Sequence, residues 1–306
     1  MADQWPFTSL VWLPARTGAQ AVYLTTGEGI SENGIVVQPG LRGFDAPSFQ
    51  YSYTETPGLD GAHLNKVRIP SREIFIPVYI QGSDRGDFLT KKRNFLKAIN
   101  PVGSFNAGRL YVIEGDSSTR TIDLYYQDGA EGDYGVAAGG FHWQKYGLRF
   151  LAMDPYFYGS TTETRTFRGD SGDLTPFFSS PFFGLHLNKT LSFNGSVTLD
   201  IVGDVDTWPI WKITGPVESA TFTNHSVNQE FTFTYSLLAG DSITIDTRPG
   251  IKTVTHSDGD NLWSALDPNP QFWPVAPYAN EIEIGVTGST SATEISIEYT
   301  PRYLSA

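Results

Sequence analysis

The chain has 306 residues, 21 basic against 33 acidic, no cysteine and 14% aromatic residues. That length corresponds to about two domains, and the lack of thiols excludes disulfide scaffolds, thiol nucleophiles, thiolate zinc sites and iron–sulfur clusters. A net charge of −12 argues against a protein that neutralises phosphates over its whole surface.

Taken in chain order, the predicted elements are almost all strands, separated by Gly, Pro and Asp. The start, Met1-Ala2-Asp3-Gln4-Trp5-Pro6, has neither the basic nor the apolar region of a secretory signal. No run of 18 apolar residues follows, so a soluble chain made in the cytoplasm is expected. Strands are predicted over 9–14, 21–25 and 49–54, and most clearly over 73–81. There Ile74, Ile76, Val78 and Ile80 alternate with Phe75, Pro77 and Tyr79. Pro77 cannot donate to a ladder, which predicts an edge strand with two apolar faces. Such an edge needs a cover, so Ile74, Ile76, Val78 and Ile80 are the candidate subunit interface. One helix is predicted, from Asp84 to Ile99, capped by Ser83 or Asp84 and stopped at Asn100-Pro101. Lys91, Lys92 and Arg93 crowd its second half. The plain reading is a solvated face; the alternative is a docking patch for an acidic neighbour.

Strands over 109–114, 120–127 and 141–153 follow, the last two separated by a glycine-rich, acidic loop over 128–140. After Asp154-Pro155-Tyr156-Phe157-Tyr158-Gly159, residues 160–176 read as a linker, followed by an aromatic stretch over 176–183. Nine short strands are then predicted: 185–193, 197–202, 209–214, 218–223, 230–237, 242–246, 252–255, 280–286 and 294–299. That spacing predicts a β-sandwich. The fold class is therefore mainly β: a first domain over 1–160 with one helix, and a sandwich over 161–306.

No motif assembles a catalytic site. Gly169-Asp170-Ser171-Gly172-Asp173 nearly spells the nucleophile loop of trypsin-like proteases, but Asp173 replaces the second Gly and no histidine has a matching context. The histidines at 63, 142, 186, 225 and 256 show no metal-ligand spacing. Ser257-Asp258-Gly259-Asp260-Asn261 reads as a turn rather than a calcium loop. Glu281 and Glu283 lie about 7 Å apart on one strand face, near the separation of an inverting glycosidase pair, yet exposed acids on a solvated sheet are the commoner case. Neither an enzyme, a metal nor a cofactor is expected. Four tryptophans, Trp208, Trp211, Trp263 and Trp273, fall in the second domain. Core filling is their favoured reading, with at least two buried. The alternative is a sugar-stacking platform built from Trp208 and Trp211, read as sharing a face.

Several segments together resemble the distal tail protein (Dit) family of long-tailed, non-contractile bacteriophages. They are Arg72-Glu73-Ile74-Phe75-Ile76-Pro77-Val78-Tyr79-Ile80-Gln81-Gly82 with the 85–99 helix, Gly108-Arg109-Leu110-Tyr111-Val112, and Arg149-Phe150-Leu151-Ala152-Met153-Asp154-Pro155. In the second half they are Trp208-Pro209-Ile210-Trp211-Lys212-Ile213-Thr214-Gly215-Pro216, Leu238-Ala239-Gly240-Asp241-Ser242-Ile243-Thr244-Ile245-Asp246-Thr247, and Tyr299-Thr300-Pro301-Arg302-Tyr303-Leu304. The resemblance implies an amino-terminal, sandwich-like ring domain and a galectin-like or carbohydrate-module-like carboxy-terminal sandwich. It also implies self-association into a ring, usually of six, at the virion tail tip. The ring would join the tail tube protein to a tail-associated hub protein and its receptor-binding parts. DNA would pass through its central channel without being held, and no membrane is involved. An acidic wall would suit such a channel: the 128–133 segment is a candidate for that wall or for an outer rim, with the basic helix face turned away. The competing reading is a carbohydrate-binding protein, or the binding module of a cell-wall-degrading enzyme, with fold likeness alone deciding neither.

Overall fold

The computed structural model describes residues 8–16, 18–26, 34–58, 60–102, 106–132, 139–168 and 191–306. The chain forms two compact units, Met1–Ser160 with Tyr303–Ala306, and Thr161–Arg302.

Unit 1 runs β1 (Ser9–Leu13), β2 (Val22–Thr26), β3 (Ile35–Val37), β4 (Gln50–Glu55), β5 (Ala62–Arg68), β6 (Arg72–Gln81), α1 (Arg85–Ile99), β7 (Gly108–Ile113), β8 (Thr119–Asp128), β9 (Trp143–Ala152) and β10 (Phe157–Gly159). Its main sheet has the order β10-β8-β7-β1-β2-β3-β6-β9, and β8 also pairs with β9. β8 manages both by dividing its length. Thr119–Leu124 pairs with β7, and Tyr125–Asp128 pairs with β9 across a register shift. The pairings thereby close on themselves, which leaves few bare edges. Glycine makes this packing possible at two places. A side chain on Gly108 would meet the Trp12 indole at 2.2 Å, and one on Gly129, at φ +98°, would meet the Gly147 carbonyl oxygen at 1.9 Å.

The helix begins because the Asp84 carboxylate accepts from the amides of Gly86 and Asp87 at 2.7 and 3.0 Å. It stops at Asn100, which turns extended ahead of Pro101. Phe88, Phe95 and Ile99 enter the unit 1 core, and Trp12 Nε1 donates to the Ala98 carbonyl at 3.0 Å.

β6 corrects an expectation from the sequence. It is an interior strand, paired with β3 on one side and along its whole length with β9 on the other. Ile74, Ile76, Val78 and Ile80 are at most 1% exposed and belong to the core, so they are not a subunit interface. Pro77 is tolerated because the β3 ladder ends one residue earlier, at Val37↔Val78. The missing donor faces the segment between Gln38, which donates to the Pro77 carbonyl, and Arg42, which bonds to Phe75.

The division at residue 160/161 also needs one amendment, because residues 303–306 return to unit 1. Two arginines hold them. The buried Arg72 donates to the carbonyls of Gly43 and Asp45 at 3.1 Å each and to that of Leu304 at 2.7 Å, with Phe157 beneath its guanidinium. Arg120 donates to the Ser305 carbonyl at 2.8 Å and lies 3.8 Å over the Tyr303 ring.

Unit 2 runs β11 (Glu163–Arg168), β12 (Leu191–Ile201), β13 (Ile210–Thr214), β14 (Val217–Asn224), β15 (Gln229–Leu237), β16 (Ser242–Asp246), β17 (Thr253–His256), β18 (Tyr278–Ser289) and β19 (Glu294–Tyr299). Two antiparallel sheets, β11-β19-β13-β16-β17 and β12-β18-β14-β15, share one core of inward side chains. Part of the expected linker is β11, an edge strand paired with β19. Its alternating Thr and charged residues suit an edge and read as linker for that reason. Trp211 and Trp273 lie at the centre of the core, fully buried.

Candidate assembly interface

Among the described residues β4 and β5 pair only with each other, and every residue of both strands is exposed. A two-stranded ribbon in water is marginal unless something packs on it. Its register sorts the side chains by face. Tyr51 stands opposite Val67 and Tyr53 opposite Leu64, with a register shift between Ser52 and Tyr53. The other face is polar: Arg68 Nε donates to Gln50 Oε1 at 2.8 Å, and Asn65 Nδ2 donates to Thr54 Oγ1 at 2.7 Å. Tyr51, Tyr53, Leu64 and Val67 are 61, 58, 52 and 44% exposed. The hairpin is therefore amphipathic with its apolar face bare.

The residues singled out by sequence lie elsewhere. Lys91 and Lys92 are half-buried, and of the proposed basic patch only Arg93 is exposed. Lys91 is bound to Asp87 at 2.8 Å, a hydrogen bond that holds the Asp87 carboxyl below its ordinary value. Lys92 sits over the Phe88 and Tyr146 rings. Trp208 and Trp211 do not form a platform. Three residues apart, they cannot share a face of a period-two strand; Trp211 is inside, and Trp208 packs half-buried against the core. Trp263 is the exposed one, at 41%. In the acidic loop, Asp128 pairs with Arg149 at 3.2 Å and Glu131 accepts from the Gly129 amide, while Asp133 lies outside the described residues. So does Gly169-Asp170-Ser171-Gly172-Asp173. His225 meets Glu283 at 2.8 Å, which gives one acid of the 281/283 pair a structural partner. Residues 257–260 form a tight turn closed by the Gly259 amide on the His256 carbonyl. Among the described residues no group of three or more acids and histidines could hold a metal, and no helix is long and apolar enough to cross a membrane.

Comparison with known proteins bears on this architecture. Residues 29–130 match the model for the phage tail protein RIFT-related domain, and residues 202–303 match that for the carboxy-terminal domain of the siphovirus-type tail component. The crystal structure of Dit (gp 19.1) of phage SPP1 superposes with a TM-score of 0.66 at 15% identity, covering 96% of this chain and 98% of that one. The chain belongs to the siphophage distal tail protein family. The phage P2 baseplate contains chains of similar fold in its activated conformation with calcium (TM-score 0.51, 12% identity) and with strontium (0.50, 11%). Each match covers 95% of this chain and 97% of that one. No curated protein sequence matches. Membership makes this a mainly β structural protein of the phage tail. The first matched segment contains both the bare hairpin and α1.

Proposed function

We propose that six copies of this chain close into a ring at the virion tail tip, after assembly in the host cytoplasm. The ring joins the tail tube protein to the tail-associated hub and its receptor-binding parts, and DNA crosses its central channel without being bound. The observation that carries this reading is the β4–β5 hairpin, whose Tyr51, Tyr53, Leu64 and Val67 face is bare among the described residues. A second copy is the occupant that leaves no unsatisfied face, because every subunit of a ring both gives and receives a contact. Likeness to the SPP1 protein, described as a paradigm of a hub adsorption apparatus, supports the placement. The net charge of −12 suits a channel that must release DNA.

Light scattering on a sizing column tests the reading. The wild type should elute at six times the 33.7 kDa chain mass. Tyr53→Asp should elute as a monomer with unchanged melting, since an exposed substitution shifts stability by less than about 0.5 kcal/mol. A wild type that stays monomeric at every concentration contradicts the ring. A variant that still assembles removes the hairpin from the contact.

A further inference from the structure

A head-to-tail ring needs two unlike surfaces on each subunit, one that inserts and one that receives. The hairpin is the first. Unit 1 also carries an open groove of about 530 Å³ between the end of β1, the start of β7, the middle of β8 and the residues after β9. At its rim stand two large apolar side chains, Leu13 at 40% and Met153 at 63% exposure. Three charged residues line it, and each is already bound within the chain: the Asp154 carboxylate accepts from the Tyr156 amide and the Tyr158 hydroxyl. Arg109 Nε and Nη2 grip the two Asp123 carboxylate oxygens at 2.6 and 3.0 Å, and that pairing raises the arginine pKa further. A polar ligand would have to break this bidentate pair to gain either charge, whereas an apolar guest leaves it intact and no charge stranded. The volume lies within the range of small-molecule pockets, but those present convergent, unsatisfied polar groups. Here the principal charged groups converge on each other. The thioether of Met153 adapts its shape to an aromatic guest and favours contact with one.

We propose that this groove receives the Tyr51–Tyr53 face of the hairpin from the next copy, a contact that rests on the ring reading above. The match is one of chemistry: two rigid aromatic rings on a thin ribbon, against a groove offering apolar rims and a floor whose charged groups are already hydrogen-bonded. The contact is heterologous, so each copy uses its hairpin once and its groove once, and no surface is left over when the ring is closed.

Because the chain has no cysteine, a designed pair reports this contact without background. Tyr53→Cys and Met153→Cys are combined in the full chain, treated with diamide and run on a non-reducing gel, with each single variant as control. The expected result is a ladder extending to the full ring in the double variant alone, collapsed by dithiothreitol. A disulfide needs Cβ atoms roughly 3.5–4.5 Å apart, so Leu13→Cys serves as a second acceptor position. If the protein assembles by light scattering yet neither pair gives a ladder, the hairpin docks elsewhere and the ring reading survives. An internal disulfide in a monomer overturns the contact between copies, and a monomer with no crosslink overturns the contact and the ring together. Independently, Met153→Lys should abolish the assembled species as Tyr53→Asp does. Full assembly in that variant counts against the groove.

Discussion

Replacing Trp211 with alanine separates the two meanings an aromatic residue can have in this chain. The ring is fully buried in unit 2, 4.5 Å from Phe222 and 5.6 Å from Trp273 in an edge-to-face arrangement. Its strand is flanked by Ile245 and Ile297 at the same register position. Truncation of a buried aromatic costs about 3–5 kcal/mol, including roughly 0.5–1.5 kcal/mol for each ring pair lost. No hydrogen bond enters the figure, because Trp211 Nε1 finds no acceptor among the described residues. That orphan donor makes a second variant informative. Trp211→Phe loses some area but removes a buried N–H whose desolvation costs about 1–3 kcal/mol, so its net cost should stay below about 2 kcal/mol. At about 4 °C per kcal/mol for a unit of this size, Trp211→Ala should lower the unit 2 melting transition by roughly 12–20 °C, and Trp211→Phe by much less. Calorimetry of the full chain resolves the transition if the two units melt apart. A Trp211→Ala protein that melts within about 2 °C of wild type would refute the core placement, and lost binding to a cell-wall glycan would then favour the platform.

Two other outcomes follow from the geometry. Ile76→Lys buries an unpaired cation where only 1% of the residue is exposed. It should prevent unit 1 from folding, seen as lost soluble yield and altered far-UV circular dichroism; a folded protein that merely fails to assemble would put this strand back at an interface. In unit 2, desolvation opposes ionisation of Asp246, but hydrogen bonds from the Arg248 side chain and amide outweigh it and hold the carboxyl below its ordinary value. The stabilisation is therefore present above the unfolded pKa of about 4 and is lost as pH falls through the depressed folded value. Arg248→Met should lower the melting temperature at pH 7 and converge on wild type near pH 2, and an equal deficit at both pH values would contradict this.

What the sequence made legible follows from whether each element has a buried side. The alternation of β6, the capped helix and most sandwich strands read correctly because burial imposes a period on them. The four isoleucine and valine positions of β6 carry the alternation of a buried face, and what covers them is the core of unit 1 rather than a second subunit. Pro77 signals only that a donor is missing, and the ladder's early end at Val37 is a tertiary fact. β5, with its sequence Ala-His-Leu-Asn-Lys-Val-Arg, carries no clean alternation because its register shifts and no core faces it. The assembly candidate was therefore missed where it matters most. The one available signal is the strand predicted over 49–54, followed by the turn residues Pro57-Gly58 and Gly61. The groove could not be read at all, since it gathers residues from both ends of unit 1.

Imaging the purified full chain by negative-stain electron microscopy tests the central claim most directly, because a ring shows its hole without any assumption about partners. The account predicts closed rings with a central channel, lost in Tyr53→Asp. A field of separate monomer-sized particles from wild-type protein, at concentrations where light scattering also reports about 34 kDa, would contradict it.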